Sequence, residues 1–119
     1  MTVQAYQAFA RQWIDAWNSR DLDRVLDLYD DGAEMVSAGV VRLEINTEGR
    51  VAGKAQLRAY WSQALEKLPN LRFELLDVSV SPDSIVVRYR NERGQTICEY
   101  LRLNGAGRII QGSANHVLA

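Results

Sequence analysis

The 119-residue chain has one cysteine, one histidine and two prolines, and it carries no excess of either charge. Each shortage closes a class of function. A lone Cys98 excludes an internal disulfide. One histidine beside one cysteine makes no usual zinc set, and no run of carboxylates has ligand spacing, so neither a metal nor a cofactor is expected. Fourteen Lys and Arg against fifteen Asp and Glu leave a net charge of −1, whereas a nucleic-acid partner calls for a basic face. No apolar run approaches the length that spans a membrane. The amino-terminal stretch, MTVQAYQAFARQ, lacks the basic-then-apolar pattern of a signal peptide, which points to a cytoplasmic protein.

What is present is an apolar content of 47%, enough for one core, and the reading is a single domain over residues 1–119. The run from Phe9 to Gly32 is the richest stretch. It reads as a long amphipathic helix over roughly residues 3–18, with Tyr6, Phe9, Ala10, Trp13 and Trp17 on one stripe. A break at Asn18-Ser19-Arg20 follows, then a second helix capped by Asp21, with Leu22, Val25, Leu26 and Tyr29 inward and Gly32 at its end. A third helix opens at Gly53, carries Leu57, Tyr60, Trp61, Ala64, Leu65 and Leu68, and stops at Pro69.

The remaining segments alternate with period two. Met35-Val36 and Val40 to Ile45 read as short strands, with a turn at Asn46 to Gly49 leading to Val51. Strands over 71–80, 85–90, 95–103 and 108–117 follow, joined by short turns that make them antiparallel. The expected architecture is α+β: three helices packed on a highly curved, mostly antiparallel sheet, forming a cone around a pocket.

This order resembles the nuclear transport factor 2-like superfamily, particularly its SnoaL-like branch. The resemblance rests on Trp13-Ile14-Asp15-Ala16-Trp17-Asn18, Asp21-Leu22-Asp23, Leu28-Tyr29-Asp30-Asp31, and Gly53-Lys54 leading into Leu57-Arg58-Ala59-Tyr60-Trp61. It covers essentially the whole chain. It is specific for the fold and weak for chemistry, because the superfamily holds isomerases, cyclases, hydrolases, dehydratases and non-catalytic carriers.

The sharpest anomaly is the strand face Ile97, Glu99, Leu101, Leu103, one carboxylate among three apolar residues. Turned into the cone, Glu99 loses its water and its pKa should rise; a protonated Glu99 could donate a hydrogen bond to a carbonyl or enolate oxygen. The alternatives are an ion pair with Arg88 or Arg90 on the neighbouring strand, a bulge that turns Glu99 outward, or an acceptor role for the N–H of Trp13 or Trp61. In the ketosteroid isomerase branch the oxyanion-binding acid falls at Glu99. That branch's helix-one tyrosine falls at or beside Trp13, and its general-base aspartate near Ser37, which has no carboxylate. Two of three catalytic groups are missing, which argues against the familiar steroid mechanism.

His116 shares a face with Ile110, Gly112 and Ala114 near the open end, where it could serve as a base or stand as a terminal residue without a role. Trp13, Trp17, Tyr29, Trp61 and Tyr89 read first as core and second as an aromatic wall for a ligand. The residues assigned to the pocket are thus Glu99 and His116 as catalytic candidates, with Trp13, Trp17, Tyr29, Ser37, Trp61, Tyr89 and Gly112 as ligand contacts. The expected ligand is small and apolar or carbonyl-bearing. If the protein is a catalyst, the reaction is proton transfer beside that carbonyl, as in isomerisation, cyclisation or dehydration. The competing reading is a non-catalytic binding or dimerisation module. The opposite sheet face, with Val86, Arg88, Arg90, Cys98, Tyr100 and Arg102, is the surface through which SnoaL-like proteins pair, and a homodimer is expected there.

Overall fold

The computed structural model describes residues 1–118. Its elements run α1 (Val3–Ser19), α2 (Leu22–Leu26), β1 (Tyr29–Val36), α3 (Ala38–Arg42), β2 (Arg50–Ala52), α4 (Lys54–Lys67), β3 (Glu74–Ser81), β4 (Ser84–Arg90), β5 (Thr96–Leu103) and β6 (Ile109–His116). The six strands form one sheet in the order β2-β1-β6-β5-β4-β3. All neighbours are antiparallel except β1 and β6. The helices close one face of this curved sheet, and the cone expected from the sequence is present.

Side-chain caps set the helix starts. Thr2 accepts the amide of Ala5 at the head of α1, and Asp21 accepts that of Asp23 at the head of α2. At the far end of α1, Arg20 takes a left-handed backbone (φ 61°) and its guanidinium donates to the carbonyls of Leu65 and Leu68. The last turn of α1 is thereby tied to the last turn of α4. Beside it, Asn18 binds the backbone of Phe73 twice, donating to its carbonyl at 2.9 Å and accepting its amide at 2.7 Å. Two helices and the entry to β3 meet at this junction, which is the rim of the cone.

Three local readings change. The second helix ends at Leu26, not at Gly32, and Tyr29 begins β1. The reason is tertiary: the amide of Ile109 bonds the carbonyl of Leu28, and Tyr29 pairs with Ile109, which holds this segment extended beside β6. The valine-rich segment read as a strand from Val40 to Ile45 is instead the short helix α3 and the turn after it. Ser37 caps that helix by accepting the amide of Gly39, so a cap overrides the β preference of Val40 and Val41. Finally, Leu103 pairs with Ile109 while Arg102 pairs with Gln111, so Ile110 is the extra residue of a bulge. Ile109, rather than Ile110, is therefore the one buried with Gly112.

Candidate functional site

The regular register between β4, β5 and β6 decides where Glu99 points. Val87 pairs with Glu99 and Glu99 with Ala114, without a slip on either side. Ile97, Glu99, Leu101 and Leu103 consequently face inward and are all buried, Glu99 to 3% exposure. No arginine reaches it. Arg88 pairs with Asp77 on the outside of the sheet, and the donor to Glu99 is the Tyr89 hydroxyl, at 2.9 Å from Oε1. Trp13 also fails to reach the carboxyl; its Nε1–H donates to the Tyr29 hydroxyl at 3.1 Å.

Glu99 lines a cavity of about 110 Å³ at the wide end of the cone. An apolar cavity of about 150 Å³ takes up benzene, so the enclosed part here is the size of one small ring. Its wall is aromatic. Trp13 stacks on Phe73 at 5.9 Å, Phe73 lies 4.2 Å from Tyr89, and Trp61 meets both Trp17 and Tyr29 edge-on at 5.1 and 5.0 Å. Edge and offset contacts of this kind add about 0.5–1.5 kcal/mol per pair beyond burial, which holds the slot open as a rigid frame.

Within this wall one buried donor, the Trp17 N–H, has no partner among the described residues, and the Tyr29 hydroxyl has a proton to spare. Trp17 is 94% buried, yet its Nε1–H has no partner. The Tyr29 hydroxyl receives the Trp13 N–H but hands its own proton to no group, while Ser37 accepts from Gly39 and shares a hydrogen bond with the Tyr60 hydroxyl (3.1 Å) in which either oxygen can donate. A buried donor left unpaired costs about 1–3 kcal/mol, which a bound acceptor would recover. Gly39 makes part of this arrangement possible, since any β carbon there would collide with the Tyr60 hydroxyl.

Burial pushes the Glu99 pKa from its ordinary 4.5 up to about 7, and the Tyr89 hydrogen bond only partly opposes the rise. The same burial, reinforced by the charge of Glu99, drives the Tyr89 and Tyr29 phenols far upward, so both remain protonated donors. Tyr60 is raised as well, burial outweighing its bond to Ser37. His116 sits opposite Ile97, one step along β6 from the Ala114 that faces Glu99, or about 7 Å nearer the mouth. Burial, then the charges of Arg42 and Arg93, lower its pKa and favour the neutral imidazole.

Of the residues singled out from sequence, Trp13, Trp17, Tyr29, Ser37, Trp61, Tyr89, Glu99 and His116 all line this one cavity. Gly112 does not. A β carbon there would press on Met35 Sδ at 3.1 Å, so its role is to leave room over β6 for the Met35 side chain from β1 and the Leu101 side chain from β5. Sequence reasoning missed Tyr60, Phe73 and the charged rim of Arg42, Asn91, Glu92 and Arg93. Tyr60 and Phe73 looked like ordinary core; Arg42 was hidden by reading α3 as a strand. Among the described residues no three His, Cys, Asp or Glu side chains gather as a metal site, and no helix is long and apolar enough to cross a membrane.

Comparison with known proteins places this geometry. The SnoaL-like domain family matches residues 10–111. A SnoaL-like protein of unknown function from Burkholderia thailandensis is 37% identical, with 98% of each chain covered and a TM-score of 0.91. A candidate isomerase of the SnoaL-like family from Agrobacterium tumefaciens is 17% identical, with 98% of this chain and 100% of that chain covered and a TM-score of 0.77. IdmH, a candidate polyketide cyclase from Streptomyces antibioticus, is 16% identical, with 93% and 91% covered and a TM-score of 0.75. No curated protein matches the chain significantly. From the span of the family match and the relative at 37% identity, the chain belongs to the SnoaL-like family, within the nuclear transport factor 2-like superfamily.

Proposed function

We propose that the cavity binds a small, mostly apolar molecule bearing a carbonyl and that it catalyses proton transfer beside that carbonyl. The observation that carries this reading is the pair of donors without acceptors, Trp17 N–H and Tyr29 O–H, in an aromatic slot that also holds Glu99. A carbonyl oxygen supplies the acceptor they lack. The neutral imidazole of His116 would take a proton from the adjacent carbon, the C–H electron pair would move into an enolate, and the oxygen would be held by Tyr29 and by protonated Glu99. Return of the proton to carbon completes an isomerisation or opens a cyclisation. The candidate isomerase and cyclase with this fold are compatible with such chemistry.

The test is exchange of the α protons of acetophenone in D2O, followed by NMR. The protein should speed exchange above buffer, and Glu99→Gln and His116→Gln should each abolish the gain. Acetophenone that binds but does not exchange would replace this reading with that of a non-catalytic carrier. One feature favours the carrier: by the resemblance, the isomerase branch's carboxylate base falls near Ser37, which has no carboxylate.

Pairing of two copies through the outer face of β4 and β5 belongs to the same proposal. Val86, Cys98 and Tyr100 are half-buried there, while Arg88 and Arg102 are already engaged by Asp77 and Asp83. Light scattering behind size exclusion reads the outcome directly.

A further inference from the structure

The rim of the cavity is charged in a way that the ring-sized slot does not require. Arg42, at the end of α3, and Arg93, in the turn between β4 and β5, both line the mouth. They also line a second recess of about 130 Å³ that shares Tyr60, Ala64 and Leu68 with the first and adds Lys67. The opposing charge at this rim is Glu92, which touches Arg93 at 3.5 Å and accepts the Arg72 amide. Arg42 and Lys67 make no ion pair among the described residues. The mouth therefore carries an excess of two positive charges on a chain whose net charge is −1.

The turn bearing Arg93 is built. Buried Asn91 accepts the amides of Arg93 and Gln95 through Oδ1 and donates through Nδ2 to Gln95 Oε1, which fixes where Glu92 and Arg93 project. Lys67 has an ordinary duty in the last turn of α4, offsetting the helix dipole. Arg42 has no comparable duty, because α3 is a single short turn.

We propose that the ligand is an anion: a one-ring carbonyl compound whose ring occupies the aromatic slot and whose carboxylate lies at the mouth between Arg42 and Arg93. This rests on the carbonyl-binding reading of the same cavity and adds the class of molecule. The guanidinium fork matches a carboxylate in two parallel hydrogen bonds. Low His116 basicity fits the same environment: burial lowers it first, and the positive charge of both arginines adds to that.

The test compares 4-acetylbenzoate with 4-acetylbenzamide by isothermal titration calorimetry. The two share ring, ketone and overall shape, and a neutral amide replaces the carboxylate. The wild-type protein should bind the carboxylate about tenfold more tightly, the worth of one charge-assisted hydrogen bond. The exposed substitutions Arg42→Gln and Arg93→Gln should together erase that preference while leaving the amide's affinity unchanged, and 0.5 M salt should erode it in the wild type. Equal affinity for the two, or a preference that survives in the double variant, overturns the proposal and leaves the cavity reading standing. Failure of both compounds to bind overturns both readings.

Discussion

Glu99 and Asp77 stand on one sheet, two strands apart, and their carboxyls behave in opposite ways. Asp77 is fully exposed, and the Arg88 hydrogen bonds draw its pKa below the usual value. Glu99 is fully enclosed, meets one phenol and no cation, and is drawn upward to about 7. The strand pleat alone separates them, since it sends alternate residues to water or to the slot. Charge on the outer face is paired and cheap to solvate; on the inner face it is conditional on what the cavity contains.

The comparison breaks most completely if the aromatic frame is removed. Trp13→Ala should lower stability by about 3–5 kcal/mol in urea unfolding, because Trp13 is 99% buried and stacked on Phe73. Admitting water should also bring the Glu99 pKa back toward its ordinary value, visible in the carboxyl carbon shift by NMR. A smaller effect comes from pH. The folded state holds a proton on Glu99 up to about pH 7, whereas the unfolded chain releases it near 4.5, so the folded form binds more protons in between. Stability is therefore complete below about pH 4.5, declines as pH rises through that window, and levels off above about 7, by about 3 kcal/mol in the limit. Glu99→Gln should flatten this slope in melts between pH 5 and pH 8, taken at about half-unit steps; an unchanged slope would place the titration elsewhere. The least effect belongs to the outer face: Asp77→Asn should leave the melting midpoint within error, as exposed ion pairs contribute little.

The inward turn of Glu99 was legible because β5 lies between two partners whose register is regular from Ile97 to Arg102, where alternation of side chains is a reliable guide. The helical stripes were legible for the same reason: Phe9, Trp13 and Trp17 on α1, and Leu57, Trp61 and Leu65 on α4, repeat at helical spacing. Interruptions of periodicity were not legible. The bulge at Ile110 swaps faces at the start of β6, and nothing in the local sequence marks it. Segment 38–42 combines β-branched residues with a serine cap, and the cap prevailed. The free donors of Trp17 and Tyr29 could not be found either, since a missing acceptor is a property of the assembled site.

The parallel pairing of β1 with β6 has a consequence in time. Tyr29 meets Ile109, eighty residues later in the chain, so the slot has no floor until the final strand exists. During synthesis the tryptophan-bearing α1 leaves the ribosome with much of its apolar partner surface still untranslated. Pairings this distant in sequence slow the search for the native contact set. The meander from β3 to β5 can zip locally, strand upon neighbouring strand. Docking of β6 against β1 then becomes the step that creates the binding chamber, and a chain stopped short of residue 109 would be all wall and no room.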